Sequence, residues 1–226
     1  MMKEKQSPLK LVVGITLGIT VLLVALVIVG NMDSESNEST VENHVPIDGQ
    51  PVLGESEAPV KVVEFGDYKC PACKEWGESI FPQLTDEYVD TEKVAFSYVN
   101  VLFHGEESEL AALAAESVYQ QDPDGYWEFH KALFDEQPSG DHDSEWVTEE
   151  KILEVAEDVP NVDTDKLASD IENGAAMNEV NKDTELVNEF DIQLTPTIIV
   201  NDTVIEDPFD YEAIQTTIEE ELEGNE

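Results

Sequence analysis

The chain has two cysteines, Cys70 and Cys73, and they sit together as Cys70-Pro71-Ala72-Cys73, directly after the apolar run Val60-Lys61-Val62-Val63-Glu64-Phe65. A C-x-x-C between a strand and a helix start sets its first thiol against free backbone amides and the positive end of the helix dipole, which stabilise a thiolate. The thiolate is the species that attacks disulfides, so Cys70 is the candidate nucleophile and Cys73 the thiol that resolves a mixed disulfide. Other readings of the pair explain less. A zinc site needs further ligands, and His44, His104, His130 and His142 show no paired knuckle spacing. A structural clip closing so short a loop gains little, because the entropic gain grows with loop length. Two unpaired buried cysteines leave the spacing unexplained.

Residues 1–10 carry Lys3, Lys5 and Lys10 and precede an uninterrupted apolar run over residues 11–30. About 20 such residues at a rise of about 1.5 Å span about 30 Å, the hydrocarbon thickness of a bilayer, so the run is expected to be one transmembrane helix. Lysines before it and Asp33, Glu35 and Glu38 after it orient the N-terminus to the cytoplasm and the rest of the chain outside. A cleaved signal peptide is the competing reading; its shorter apolar core and A-x-A-like site match poorly, which favours an uncleaved anchor. Either way the domain is exported to where disulfides persist. Residues 31–50 are rich in Ser, Asn, Glu and Asp and are expected to form a flexible acidic tether. Residues 51–226 are long enough for one well-cored domain with an inserted subdomain.

Acidic residues number 52 against 11 basic ones, all lysine, for a net charge of -41. Nucleic acid and anionic lipid are repelled by such a surface and are excluded as partners. Self-repulsion at this density predicts a fold that requires salt, as in a halophile, because salt shortens the reach of each charge. Acidic loops such as Asp141-His142-Asp143 or Asp122-Asp124 offer oxygen ligands to calcium, but solvated loops are the favoured reading, and no metal site is assigned.

Along residues 51–226 the pattern alternates between strand and helix. Val60–Phe65 reads as a strand, Cys70 to about Tyr88 as a helix with Trp76, Ile80 and Leu84 on one stripe and a kink at Pro82, and Val94–Val99 as a second strand. Strand, helix and strand in that order make a parallel βαβ unit. From about 104 to 174 the chain reads as an all-helical insertion, with Leu110, Leu113, Ala114 and Val118 on one stripe, Thr148 as an N-cap, and Asn173-Gly174 as a stop. Its aromatics Tyr126, Trp127, Phe129 and Trp146 read as core packing. A helix carrying Val180, Val187 and Phe190 follows, then Leu194-Thr195-Pro196-Thr197 opening two strands that turn at Asn201-Asp202, and a closing amphipathic helix from Asp210 to Leu222.

These pieces, over Pro51 to Leu222, resemble the thioredoxin fold in its DsbA-like version: an α/β fold with a helical insertion. The run Val63-Glu64-Phe65-Gly66-Asp67-Tyr68-Lys69-Cys70-Pro71-Ala72-Cys73, together with the anchor, is similar to the membrane-tethered BdbD-type thiol-disulfide oxidoreductases of Gram-positive bacteria. The resemblance implies that Cys70 is the exposed nucleophile, Cys73 the more buried resolving thiol, and Pro71 and Ala72 the spacer of the motif. It implies that Thr195-Pro196 is a cis-proline loop opposite Cys70 that leaves the Thr195 backbone free to bind an extended substrate. It also implies that Glu64 is a buried acid beneath the site, able to exchange a proton with Cys73. Strand alternation alone leaves the face of Glu64 open, because an edge strand would put it at the surface.

The activity so implied is donation of a Cys70–Cys73 disulfide to unfolded exported proteins, with no bound cofactor. A quinone-linked, DsbB-like membrane partner would reoxidise the pair. Strongly oxidising members carry a histidine between the cysteines, where this chain has Ala72, so a milder oxidant is expected. Two alternatives stand beside it: a reductase or isomerase fed with electrons through the membrane, and a non-catalytic surface binding module.

Overall fold

The computed structural model describes residues 39–41, 43–140 and 144–224. The apolar run at 11–30 and the Asp141-His142-Asp143 loop lie outside the described residues. Among those described, no helix is long and apolar enough to cross a membrane.

Six strands form one mixed sheet: β1 (Ser39–Thr40), β2 (Val52–Leu53), β3 (Val60–Gly66), β4 (Val94–Asn100), β5 (Thr197–Val200) and β6 (Thr203–Val204), in the order β1-β6-β5-β3-β4-β2. β3 and β4 pair in parallel from Val60↔Val94 to Gly66↔Asn100. β5 lies antiparallel on the other side of β3, with Glu64 opposite Ile198. The expected βαβ unit is therefore present, and the turn at Asn201-Asp202 joins two antiparallel strands. Asn201 adopts a φ of 52°, the left-handed conformation such a tight turn uses.

Between β3 and β4 the chain forms α1 (Pro71–Ser79) and α2 (Phe81–Leu84), followed by a π-helical turn over Thr85–Val89. The single kinked helix expected over this stretch is instead divided. Pro82 has no N–H and its ring crowds the preceding turn, so one helix ends at Ser79 and another begins at Phe81. The insertion consists of α3 (Glu106–Gln121), α4 (Tyr126–Asp135), α5 (Glu149–Glu157) and α6 (Thr164–Asn173). Thr148 caps α5 by accepting the Lys151 N–H, and α6 stops on Gly174 at a φ of 61°. α7 (Met177–Glu189) leads back to β5, and α8 (Tyr211–Gly224) closes the fold.

Two cores flank the sheet. Val60, Val62, Phe96, Ile198 and Val200 face Trp76, Leu84, Ile214 and Ile218 on one side, whereas Val63, Phe65, Val99 and Ile199 face Val45, Leu186 and Ile192 on the other. A third core fills the insertion, where Tyr126 and Phe129 are fully buried and Trp127 and Trp146 partly so. That core reaches Tyr68, Cys70, Cys73 and Tyr98, so the insertion packs directly onto the cysteine motif.

The segment expected to be a tether is in part built into the fold. Ser39–Thr40 pairs with β6, Val45 is buried with Val41 and Ile47 against the same core, and Gln50 donates to Asp183 at 2.7 Å. Three spaced apolar residues are enough to seat a short edge segment that composition alone reads as polar. Asp183 and Glu116 both accept from the Asn100 side chain, at 2.7 and 3.0 Å, which links α7 and α3 to the end of β4. Burial raises both carboxyl pKa values, and the charge of Asp183 adds to the effect on Glu116.

Candidate active site

β3 ends at Gly66, and residues 67–70 turn the chain into α1 with Cys70 as the N-cap and Pro71 at the first helical position. No side chain caps this helix start, so its free amides face the thiol. Cys70 and Cys73 are both free thiols. Cys73 is 1% exposed and Cys70 7%, so the expected exposed nucleophile is the more accessible of the two yet largely covered. Packing against the insertion and the Thr195 loop covers it. The Thr195-Pro196 bond is cis, and Cys70 Sγ lies 3.4 Å from the Thr195 carbonyl oxygen.

The pair is electrostatically asymmetric. The Cys70 thiol pKa is lowered to about 6, first by the hydrogen bond from the Cys73 thiol; burial opposes this, and a Thr195 hydrogen bond and the Cys73 and Ala72 amides add to the lowering. Cys73 moves the opposite way, first because burial penalises its thiolate and then because it donates to Cys70. Its sulfur accepts the Asp67 N–H at 3.5 Å.

Glu64 is 3% exposed on a strand with neighbours on both sides, which answers the question that alternation left open. It lies on the Val62 face, towards α1. Burial raises its carboxyl pKa well above the usual range, and the charge of Cys70 raises it further. Structure thus brings Glu64, Cys70, Cys73, Thr195 and Pro196 together, with Pro71 and Ala72 in the first turn of α1.

Several residues that hold this geometry have no short-range signature. The buried Asp67 carboxylate accepts from the Lys69 N–H at 2.8 Å, the Phe103 N–H at 3.1 Å, Ser108 Oγ at 2.9 Å and His104 Nδ1 at 2.8 Å. A charged residue directly after the strand and before the C-x-x-C was the available clue. Gln137 Nε2 donates to the carbonyls of Tyr68 and Cys70, at 3.0 and 3.2 Å, while Lys74 Nζ donates to those of Asp135 and Gln137, both at 3.1 Å. Lys69 pairs with Glu107 and donates to the Ser144 carbonyl at 2.8 Å. Tyr68 Oη and His130 Nδ1 are 2.9 Å apart, and burial lowers the His130 pKa to about 3, leaving the ring neutral. Leu194, 74% exposed, presents an apolar side chain next to Thr195. Among the described residues, no group of three or more His, Cys, Asp or Glu converges as a metal site.

Comparison with known proteins places this geometry. A thioredoxin family model matches residues 47–220. The chain is 45% identical over 194 residues to disulfide bond formation protein D of Bacillus subtilis, covering 86% of each chain. It is 34% identical over 219 residues to the probable disulfide bond formation protein D of Bacillus anthracis, covering 96% of this chain and 99% of that one. The crystal structure of oxidised BdbD from Bacillus subtilis superposes with a TM-score of 0.79 at 45% identity, over 82% of this chain and 100% of that chain. The chain therefore belongs to the thioredoxin family, among the DsbA-like thiol-disulfide oxidoreductases of the disulfide bond formation protein D type.

Proposed function

We propose that this protein is an extracytoplasmic disulfide oxidase that passes the Cys70–Cys73 disulfide to thiols of unfolded exported proteins. The observation that carries the reading is the asymmetry of the pair: one thiol is held ionised at neutral pH beside an accessible loop, and the other is buried and held protonated. In the oxidised protein a substrate thiolate attacks Cys70 Sγ, the Cys70–Cys73 bond breaks, and a mixed disulfide forms. Cys73 leaves as a thiolate and takes up a proton, for which Glu64 is the nearby acid. A second substrate thiolate attacks the substrate sulfur of the mixed disulfide and releases Cys70, a good leaving group because its thiolate is stabilised. The substrate loses two electrons and the cysteine pair gains them, so no other cofactor enters. Thr195 and Pro196 line the path of the incoming chain.

The apolar run over 11–30 tethers the domain to the outer side of the cell membrane as a single-pass anchor, and a DsbB-like, quinone-linked membrane protein reoxidises Cys70 and Cys73. This chain's relatives, disulfide bond formation proteins D of two Bacillus species, support disulfide formation over reduction or simple binding.

Full-length Cys73→Ala in the membrane fraction tests the reading. Covalent adducts of client proteins at Cys70 are expected, and they should be absent in Cys70→Ala. A folded Cys73→Ala protein that traps nothing would leave a non-catalytic binding module. A reduction potential near or below about −270 mV, that of thioredoxin, would point to a reductase.

A further inference from the structure

Between α1, α2 and α4 lies a cavity of about 600 Å³, based on Glu64 and Cys73 and walled by Phe81, Phe96, Trp127 and Phe134. Its lining includes Cys73 but none of Cys70, Thr195 and Pro196. A volume of this size is within the range of small-molecule sites, commonly about 300–1,000 Å³. Thiol chemistry accounts for an acid next to Cys73. It does not account for an aromatic chamber large enough to hold an organic molecule above that acid.

Three observations define what fits. The Glu64 carboxyl is buried and makes no hydrogen bond among the described residues, so a partner arriving through the cavity would satisfy a group that otherwise carries a desolvation cost. The walls include the aromatic rings of Phe81, Phe96, Trp127 and Phe134, a residue class that attracts flat apolar groups and cations alike. The rim carries Glu78, Asp86 and Asp135, and the whole chain carries a net charge of -41, a field that draws in cations and repels anions. The rim lysines do not reverse this, because Lys131 pairs with Asp135 and Lys74 is tied to the Asp135 and Gln137 carbonyls.

We infer that this cavity binds a compact organic cation, an amine or amidine on a flat apolar body, with its charged nitrogen against Glu64. The Glu64 proton passes to solvent as the ion pair forms. Such a ligand also lies beside Cys73, where its charge favours the thiolate. Occupancy therefore acts on the resolving thiol, and ionised Cys73 in turn tightens binding.

Calorimetric titration of the full-length, reduced protein at neutral pH and low salt compares 2-phenylethylamine with its neutral isostere 2-phenylethanol. The amine is expected to bind at least about tenfold more tightly, a preference of about 1.4 kcal/mol, and Glu64→Gln to abolish that preference. Gly77 supplies a second variant: it lines the cavity from within α1, and a Cβ there meets nothing within 4 Å. Gly77→Leu should fill the chamber without disturbing Glu64, keep or raise the melting temperature, and remove binding. Equal affinity for the two compounds, no saturable heat with the amine, or undiminished binding to Gly77→Leu would each overturn the inference. The readout needs no thiol turnover, so it fails or succeeds separately from client trapping.

Discussion

Attack rates of a thiol follow its ionised fraction, and at Cys70 that fraction is set by a neighbour as much as by the helix it begins. A hydrogen bond from the Cys73 thiol is the largest lowering influence, with the Ala72 and Cys73 amides behind it. Alkylation of the reduced protein by iodoacetamide should therefore rise with pH around a midpoint near 6 and be lost below it as Cys70 protonates. Replacing Cys73 with Ala removes the first donor, and the midpoint should move up by at least about one unit. An unchanged midpoint would assign the effect to Thr195 and the backbone amides. The same hydrogen bond adds to the burial that raises the pKa of Cys73, because a thiol that donates to an anion holds its proton. Ala72 contributes an amide and no side-chain donor.

The elements legible in the sequence are those whose signal is local. Val60–Phe65, the C-x-x-C, Val94–Val99 and the Thr195-Pro196-Thr197 strand entry each lie within a few residues of the feature that marks them. What positions the motif was not legible, because it is long-range: Gln137 reaches carbonyls 67 and 69 residues earlier in the chain, and Lys69 reaches Ser144 across 75. Alternation could not orient Glu64 because β3 is covered on both faces, so in and out carry the same composition. The end of α4 and the start of α1 thus clamp each other through Gln137 and Lys74. Gln137→Ala leaves two buried carbonyls with one acceptor bond fewer, at a cost of about 1–3 kcal/mol. A domain of this size should then melt roughly 2–10 °C lower. A melting temperature within a degree of the parent would show that the clamp is dispensable to the fold.

Charge governs the molecule as a whole. Each of the eight lysines among the described residues is engaged: six in ion pairs, Lys61 on the carbonyls of Ser56 and Ala58, and Lys93 over the Tyr88 ring. Acids far outnumber lysines, and with a Debye length of about 30 Å at 0.01 M their charges repel across the whole surface, against about 3 Å at 1 M. Raising potassium chloride over that range should lift the melting temperature of the oxidised protein by roughly 5–10 °C, the shift that about 2–3 kcal/mol produces at this length. Acid pH relieves the same repulsion, but Glu64, Glu116 and Asp183 add a part that salt cannot reach. Burial raises each of their pKa values, so the fold holds protons that the unfolded chain releases. Their contribution is complete below the ordinary carboxyl range and is lost as pH rises from there through their raised folded values. Oxidising Cys70 and Cys73 removes the opposing thiol titration. Melting temperatures should then fall from about pH 5 to pH 8 in low salt, and still fall, less steeply, in 1 M salt, with Glu116→Gln flattening the remainder. A slope that vanishes entirely in high salt would place all of the pH dependence at the surface and none in the buried carboxyls.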